Sequence, residues 1–411
     1  MRLCIHTQIS LGGCFMKKTL KDIELKGKTV LLRVDYNVPL DEEGLIENDE
    51  RILKSIPTID HLTDEKAKVV IFSHLGRVKV EEDKEDKSLA IVADHLSNLL
   101  GKEVLFSTDT RGSDLEEAVS GLNEGDILVV QNTRFEDADG KKESSNDEEL
   151  GKYWASLGDV YVLDAFGTAH RSHASTVGIA SNIEESAIGL LVEEELKEMV
   201  PVIEKPKRPF VLILGGAKVS DKLPVIEHLI DKVDFMLIGG GMAYTFLKAQ
   251  GKEIGDSIVE EDMVDTAKEL LENSGGRIIL PDDSLATAEI SKDSEAEVFE
   301  GDIPEGLKAV DIGLQTIEKF QGILEAAKTV IWNGPMGIFE YDRFSIGTMD
   351  IAETLADLED ATTIVGGGDS VSAVEKSGHS DDMTHISTGG GAMLALLSGE
   401  KLPAIEAIQD K

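Results

Sequence analysis

Residues 210–218 read Phe-Val-Leu-Ile-Leu-Gly-Gly-Ala-Lys. Five apolar residues in succession, without alternation, is the pattern of a strand buried on both faces. Two glycines end the run and a lysine follows. The same succession of apolar run, polar or glycine-rich turn and helix-like segment recurs along the chain. In the first half the runs are Val30–Leu32, Val69–Phe72, Ile127–Val130 and Val160–Leu163. In the second half they are Phe235–Ile238, Arg277–Leu280, Thr329–Trp332 and Thr362–Val365. Between them lie stretches with helical spacing, such as Leu89, Val92, Leu96 and Leu99, closed by Gly101. This alternation predicts an α/β protein with mainly parallel sheets.

The runs fall into two sets. Between them an acidic stretch from about Gly189 places Val192, Leu196, Met199 and Ile203 on one helix face, before the cluster Lys-Pro-Lys-Arg-Pro at 205–209. Pro201 is expected to kink or end that helix. The fold expected is therefore two doubly wound parallel-sheet (Rossmann-like) domains joined by a hinge helix. The first domain is placed at 16–188, the linker helix at 189–208 and the second domain at 209–396. The charge runs at 41–50, 81–87, 143–149 and 293–302 read most simply as solvated loops and helix faces.

Charge narrows the partners. The 411 residues carry 41 Lys+Arg against 79 Asp+Glu, a net charge of −38. Nucleic acid and acidic membrane surfaces need a broad cationic face, so neither is expected as a partner. No apolar run reaches the ~18 residues of a membrane span. Both cysteines, Cys4 and Cys14, fall in the first fifteen residues, which excludes a disulfide framework or a cysteine metal site for the body. A reduced, cytoplasmic protein is expected. Residues 1–15 hold one charge, Arg2, and no acids, whereas the body from Met16 is strongly acidic. We expect 1–15 to be a non-structural extension upstream of the true start. A signal peptide fits less well, because His6, Thr7, Gln8 and Ser10 interrupt the apolar stretch.

In open parallel sheets ligands bind beyond the carboxyl ends of strands, so the residues after each run carry the functional information. In the first half these are Asp35 and Asn37, then Ser73-His74-Leu75-Gly76-Arg77, then Asn132-Thr133-Arg134, then Asp164 through Arg171. The chain has only ten arginines, yet Arg77, Arg134 and Arg171 follow strands directly and Arg51 follows the first strand after a loop. Guanidinium alone offers a rigid bidentate fork for carboxylate and phosphate, so the cluster points to a small anionic ligand. A single such arginine would as readily pair with one of the many acids. Histidines His74, His170 and His173 are read first as hydrogen-bonded loop residues, since no metal-binding spacing occurs.

The second half ends its strands in glycine: Gly215-Gly216-Ala217-Lys218, Gly239-Gly240-Gly241, Asn333-Gly334-Pro335, Gly366-Gly367-Gly368-Asp369 and Gly389-Gly390-Gly391. Glycine lets backbone N–H groups approach a phosphate, and a helix N-terminus adds favourable potential. Several such ends in one half point to a nucleotide. GxxxxGK[ST] is absent and no strand is followed by GxGxxG, which disfavours a P-loop ATPase and a dinucleotide dehydrogenase. Lys218 and Lys222, spaced i, i+4, are expected on one face at the start of a helix. Lys218 would lie beside a transferring phosphate. Asp369, before Ser370, is placed either to hold Mg²⁺ against phosphate oxygens or to cap the next helix.

The segments VLLRVDYNVPL, SHLGR, NTRF, DAFGTAHRSHAS, LGGAKVSDK, GGGMAYTFLK, WNGPMGIFE, GGGDS and HISTGGGA, in this order and spacing, strongly resemble phosphoglycerate kinase from about Met16 to the C-terminus. The resemblance implies a monomeric, cytoplasmic kinase exchanging a phosphoryl group between 1,3-bisphosphoglycerate and ADP, and between 3-phosphoglycerate and ATP in reverse. It implies that the tail 397–411 returns to the first domain. It implies a phosphoglycerate site of Asp35, Asn37, Arg51, His74, Arg77, Arg134 and Arg171. The nucleotide site implied comprises Gly216, Lys218, Lys222, Gly240, Asn333, Glu340, Gly367, Gly368, Asp369 and Ser370, with Asp369 on the Mg²⁺ and Glu340 near the ribose.

A carboxylate nucleophile is already ionised, so such a kinase needs no general base, and no nucleophile–base pair stands out in the chain. The transferring phosphoryl group needs charge stabilisation and in-line placement. Arg51, Lys218 and the N–H groups of Gly389, Gly390 and Gly391 are expected to supply it, with domain closure excluding water. The chain departs from the family pattern at Val78, Gln131, Leu314 and Ala395. The alternatives are a dinucleotide-binding α/β enzyme and a non-catalytic protein that kept the fold. An acid excess this large is expected in a protein from a high-salt cytoplasm.

Overall fold

The computed structural model describes residues 17–411. The expectation for 1–15 therefore lies outside the described residues, as do both cysteines. The chain divides into two compact units, one of residues up to Val200 with Lys401–Lys411, the other Pro201–Glu400.

The first unit is built on a six-stranded sheet. Its strands are β1 (Thr29–Val34), β2 (Lys68–Phe72), β3 (Leu105–Phe106), β4 (Ile127–Val129), β5 (Val160–Asp164) and β6 (Glu185–Ile188). They lie in the order β3-β4-β2-β1-β5-β6, and every pairing is parallel. The chain starts in the middle, winds out to β3, then returns past β1 to β5 and β6. The strand order therefore reverses beside β1, which opens a crevice at the carboxyl ends of β1, β2 and β5. Val30, Leu32, Val69, Ile71, Val129 and Val162 are buried in one core with Ile52, Ile59 and Leu62 from the helix Glu50–Asp64. The helix Ala90–Leu100 stops at Gly101, whose φ of 62° takes the left-handed conformation of a C-terminal cap. Lys401–Lys411 packs here too: Ala404 N–H donates to Ala169 O at 3.1 Å and Gln409 N–H to Ser186 Oγ at 3.1 Å.

The second unit repeats the plan with β7 (Phe210–Leu214), β8 (Phe235–Ile238), β9 (Ile278–Ile279), β10 (Asp283–Thr287), β11 (Glu297–Glu300), β12 (Lys308–Ile312), β13 (Thr329–Asn333), β14 (Thr362–Val365) and β15 (His385–Ile386). Six of these form a parallel sheet in the order β15-β14-β13-β7-β8-β9. Its reversal falls between β7 and β13. The other three form an antiparallel sheet, β11-β10-β12, which the apolar runs did not indicate. β11 occupies part of the 293–302 charge run, so that run is in part an edge strand and not only loop.

The helix Leu190–Glu204 contains Pro201 and continues past it, so of the kink or end expected at Pro201 the end does not occur. Proline lacks only the donor to the fourth residue back, and Lys205 N–H still donates to Pro201 O at 2.8 Å. Among the described residues no helix is long and apolar enough to cross a membrane.

Candidate active site

In the first unit the expected residues converge around the end of β1. Asp35 Oδ2 accepts from Arg51 Nη1 at 2.8 Å, and Asp35 Oδ1 accepts from Asn37 N–H at 3.2 Å. Asn37 Oδ1 in turn accepts from Gly76 N–H at 2.8 Å, which ties the loop after β2 to the loop after β1. Burial opposes ionisation of Asp35, but the neighbouring charges of Arg51 and Arg33 hold its carboxyl below the usual range. His74 lies with Nδ1 3.8 Å from Asp35 Oδ1, and burial pushes its pKa down to about 3, so the ring is neutral.

Arg134 is placed by Asn132. The Asn132 side chain accepts from Arg134 N–H at 3.0 Å and donates to Leu75 O at 2.7 Å and Lys87 O at 2.8 Å, clamping the SHLGR loop against the turn. Arg134 Nη1 donates to Asp137 Oδ2 at 3.1 Å, while its buried Nε has no hydrogen-bond partner. Arg77 and Arg171 are exposed. Partial burial and the like charges of Arg134 and Arg77 hold the Arg171 guanidinium below its usual range, so Arg171 feels both of the other arginines. A bound polyanion would relieve that repulsion and give the Nε donor a partner.

Sequence reasoning missed the layer beneath. Arg33 is fully buried inside β1 and Glu143 is fully buried in a stretch read as a solvated loop. Ser175 links them, accepting from Arg33 Nε at 2.8 Å and donating to Glu143 Oε1 at 2.5 Å. The only sequence sign was an arginine interrupting an apolar run. Gln131, one of the departures from the family pattern, is accommodated: its Oε1 accepts from Leu89 N–H at 3.0 Å and its Nε2 donates to Ser88 Oγ at 2.9 Å.

In the second unit the loops after β7 and β13 touch at their glycines. A Cβ on Gly215 would lie 2.0 Å from Pro335 O, and one on Gly334 2.3 Å from Gly215 O. Only glycine permits this approach. Beside it is a cavity of about 390 Å³, lined by Gly216, Gly240, Ile258, Ile290, Val310 and Glu340 among others. Gly216, Gly240 and Glu340 are thus brought together, with mainly apolar walls suited to a purine ring. Sequence reasoning did not point to the walls formed by Ile290 and Val310.

Lys222, Asn333 and Gly367–Ser370 form a second group. Lys222 Nζ donates to Asn333 Oδ1, and Asn333 Nδ2 donates to Gly366 O at 2.6 Å. Gly334 N–H donates to Ser370 Oγ at 2.5 Å. Burial lowers the Lys222 pKa against the raising influence of Asp221 and Asp369. The helices Gly368–Ser377 and Gly390–Leu397 begin side by side, because a Cβ on Gly390 would lie 2.9 Å from Gly367 Cα. Gly390 therefore adjoins Gly367, with Gly389 and Gly391 next to it in sequence, at two helix N-termini that together favour phosphate.

Two local expectations need correction. Lys218 and Lys222 do not share a helix face: the helix is Leu223–Leu229, with Pro224 in its first turn, and both lysines precede it. Lys218 is exposed in a loop pinned by Ser220, whose N–H donates to Glu260 Oε2 at 3.0 Å. Asp369 is not a helix cap, since Gly367 holds that position with φ 97°. Its carboxylate is left exposed in the first turn. One free carboxylate beside a phosphate site fits Mg²⁺, which is held by one or two carboxylates plus phosphate oxygens. No group of three or more His, Cys, Asp or Glu that could hold a metal occurs among the described residues.

Two doubly wound units, one with an arginine cluster and one with a glycine-lined cavity beside paired helix N-termini, define a two-domain α/β protein of the phosphotransferase class. The family model described as phosphoglycerate kinase matches residues 20–400. A phosphoglycerate kinase of Enterococcus faecalis is 57% identical over 396 residues, covering 96% of this chain and 100% of the relative. One of Lacticaseibacillus casei is 54% identical over 395 residues, with the same coverage. Among solved structures, the phosphoglycerate kinase of Coxiella burnetii superposes with a TM-score of 0.85 at 38% identity, covering 95% of this chain and 98% of that one. That of Pyrococcus horikoshii superposes with a TM-score of 0.82 at 33% identity and the same coverage. The chain belongs to the phosphoglycerate kinase family.

Proposed function

We propose that the protein catalyses reversible phosphoryl transfer between 1,3-bisphosphoglycerate and ADP, giving 3-phosphoglycerate and ATP. The carrying observation is that Arg77, Arg134 and Arg171 follow β2, β4 and β5, whose carboxyl ends lie on one edge of the parallel sheet, with an unfilled donor on Arg134. Asp35, Asn37, Arg51 and His74 complete the acid site. On the nucleotide side, the base enters the cavity lined by Gly216 and Gly240, with Glu340 near the ribose. The phosphates extend towards Lys218, Lys222, Asn333, Gly367, Gly368, Asp369 and Ser370. Were Mg²⁺ bound with the nucleotide, Asp369 would hold it and the ion would supply neutralisation of phosphate charge.

The acceptor carboxylate is ionised at neutral pH, so the residues stabilise charge and do not move a proton. Arg51, Lys218 and the N–H groups of Gly389, Gly390 and Gly391 act on the transferring group. We place the enzyme in the cytoplasm, working as a monomer. A coupled assay that follows ATP consumption with 3-phosphoglycerate tests the proposal; absence of turnover with that acid and Mg-ATP would refute it.

A further inference from the structure

Beneath the acid site a chain of buried side chains runs from Glu143 to His74. Glu143, fully buried, accepts from Ser175 N–H at 2.9 Å and from Ser175 Oγ–H at 2.5 Å. The hydroxyl proton must point to Glu143, because the other neighbour of Ser175 Oγ is Arg33 Nε at 2.8 Å, which can only donate. Ser175 is further fixed by Tyr161, whose hydroxyl donates to Ser175 O at 3.0 Å, and the Glu143 loop by Ala174 N–H to Glu143 O at 3.0 Å. With Nε committed to Ser175 and Nη1 to Val34 O, Arg33 turns Nη2 to His74 Nδ1 at 3.3 Å.

That last contact has only one chemically sensible form. Guanidinium has no acceptor, so Nδ1 of His74 must offer its lone pair, and the ring proton sits on Nε2. Asp35 Oδ1, at 3.8 Å, is too far to hold a proton on Nδ1. Burial keeps the ring neutral. We propose that Glu143 is a positioning residue: through Ser175 and Arg33 it fixes His74 as the Nε2–H tautomer, so that His74 presents a donor to an anionic oxygen of the acid substrate. The substrate clause rests on the acid-site reading given above. The tautomer clause does not.

The test uses the full chain labelled with ¹⁵N and the side-chain ¹H–¹⁵N correlations of its histidines at neutral pH, with His74 assigned from the His74→Gln variant. Wild type should show a neutral His74 ring with unprotonated Nδ1 and protonated Nε2. In Ser175→Ala the relay is cut: the signal should move towards a tautomer mixture. KM for 3-phosphoglycerate should rise about tenfold, the loss of one charge-assisted hydrogen bond, while KM for ATP stays within about twofold. Glu143→Gln keeps an acceptor for the Ser175 hydroxyl and should keep the tautomer; Glu143→Ala should lose it. If Glu143→Ala fails to fold, Ser175→Ala carries the test. A wild-type ring protonated on Nδ1, or a signal unchanged in Ser175→Ala, overturns the relay. A changed tautomer with unchanged KM for 3-phosphoglycerate overturns the substrate clause, and wild-type turnover reports separately on the kinase assignment.

Discussion

Asp164, the last residue of β5, accepts from Leu191 N–H through Oδ1 at 2.9 Å, at the first turn of the helix that crosses from one unit into the other. It also accepts from Val192 N–H at 3.2 Å, while its buried Oδ2 has no hydrogen-bond partner. The helix N-terminus favours the ionised form, but burial dominates and pushes the pKa from 3.8 up to about 7. Gly189 is required beside it, because a Cβ there would lie 2.3 Å from Asp164 Oδ1.

A raised carboxyl pKa means that the folded state binds more protons than the unfolded state between about pH 4 and 7. Its contribution to stability is therefore fully present below pH 4 and is lost as pH rises through 7. Asp164→Asn removes that dependence. Its stability relative to wild type should climb by about 2–4 kcal/mol between pH 4 and pH 8. Urea unfolding at both pH values measures this, and a constant difference would contradict the buried, protonated state.

Asp311 behaves in the same way in the second unit. Its Oδ2 accepts from Gly347 N–H at 2.8 Å and its Oδ1 from Ile312 N–H at 2.9 Å, yet burial pushes its pKa up to about 7. Because it lines the cavity, a ligand there shields it further from water. Nucleotide binding should therefore be accompanied by proton uptake near pH 7, seen in calorimetry as a binding enthalpy that depends on buffer ionisation. Asp311→Asn should abolish most of that dependence, and equal buffer dependence in both proteins would contradict the argument.

The glycines separate into those that need their missing side chain and those that do not. Gly215→Ala would drive a methyl against Pro335 O, whereas a Cβ on Gly368 meets nothing within 4 Å. Gly215→Ala should weaken ATP binding by at least about tenfold or destabilise the second unit by about 2 kcal/mol or more. Gly368→Ala should leave the stability of the second unit nearly unchanged, since its Cβ meets nothing in the protein. Titration calorimetry and urea unfolding of the two variants decide this; equal effects would contradict the packing argument.

The acid excess predicts salt dependence. At low ionic strength the self-repulsion of a −38 chain opposes compaction, and salt screens it. Urea midpoints should rise between low and molar KCl. Midpoints that stay flat would remove the argument for a high-salt source.

The buried parallel strands were legible because both their faces are covered, which leaves unbroken apolar runs such as Phe210–Leu214. β3 and β15 are two residues long and too short to register, β9, equally short, was marked by the longer run Arg277–Leu280, and β10, Asp-Ser-Leu-Ala-Thr, reads as polar loop. The arginines and glycines of the site were legible because ligand chemistry restricts residue type at strand ends. Arg33 and Glu143 were not, since their roles arise from pairing across 142 and 32 residues with Ser175. The cavity walls escaped for a related reason: Val310 belongs to a strand of the antiparallel sheet, and Ile290 looks like any loop isoleucine.

The central claim is that charge stabilisation by the arginine cluster, without a general base, carries phosphoryl transfer. Arg51 is its sharpest probe, being part-exposed and bonded to Asp35, so its loss should leave the fold intact. The deciding measurement is kcat for 3-phosphoglycerate with Mg-ATP in wild type and Arg51→Ala. The account predicts a fall of about 10²–10³-fold, corresponding to ~3–4 kcal/mol of barrier, with the unfolding midpoint nearly unchanged. Robust turnover in Arg51→Ala would contradict it.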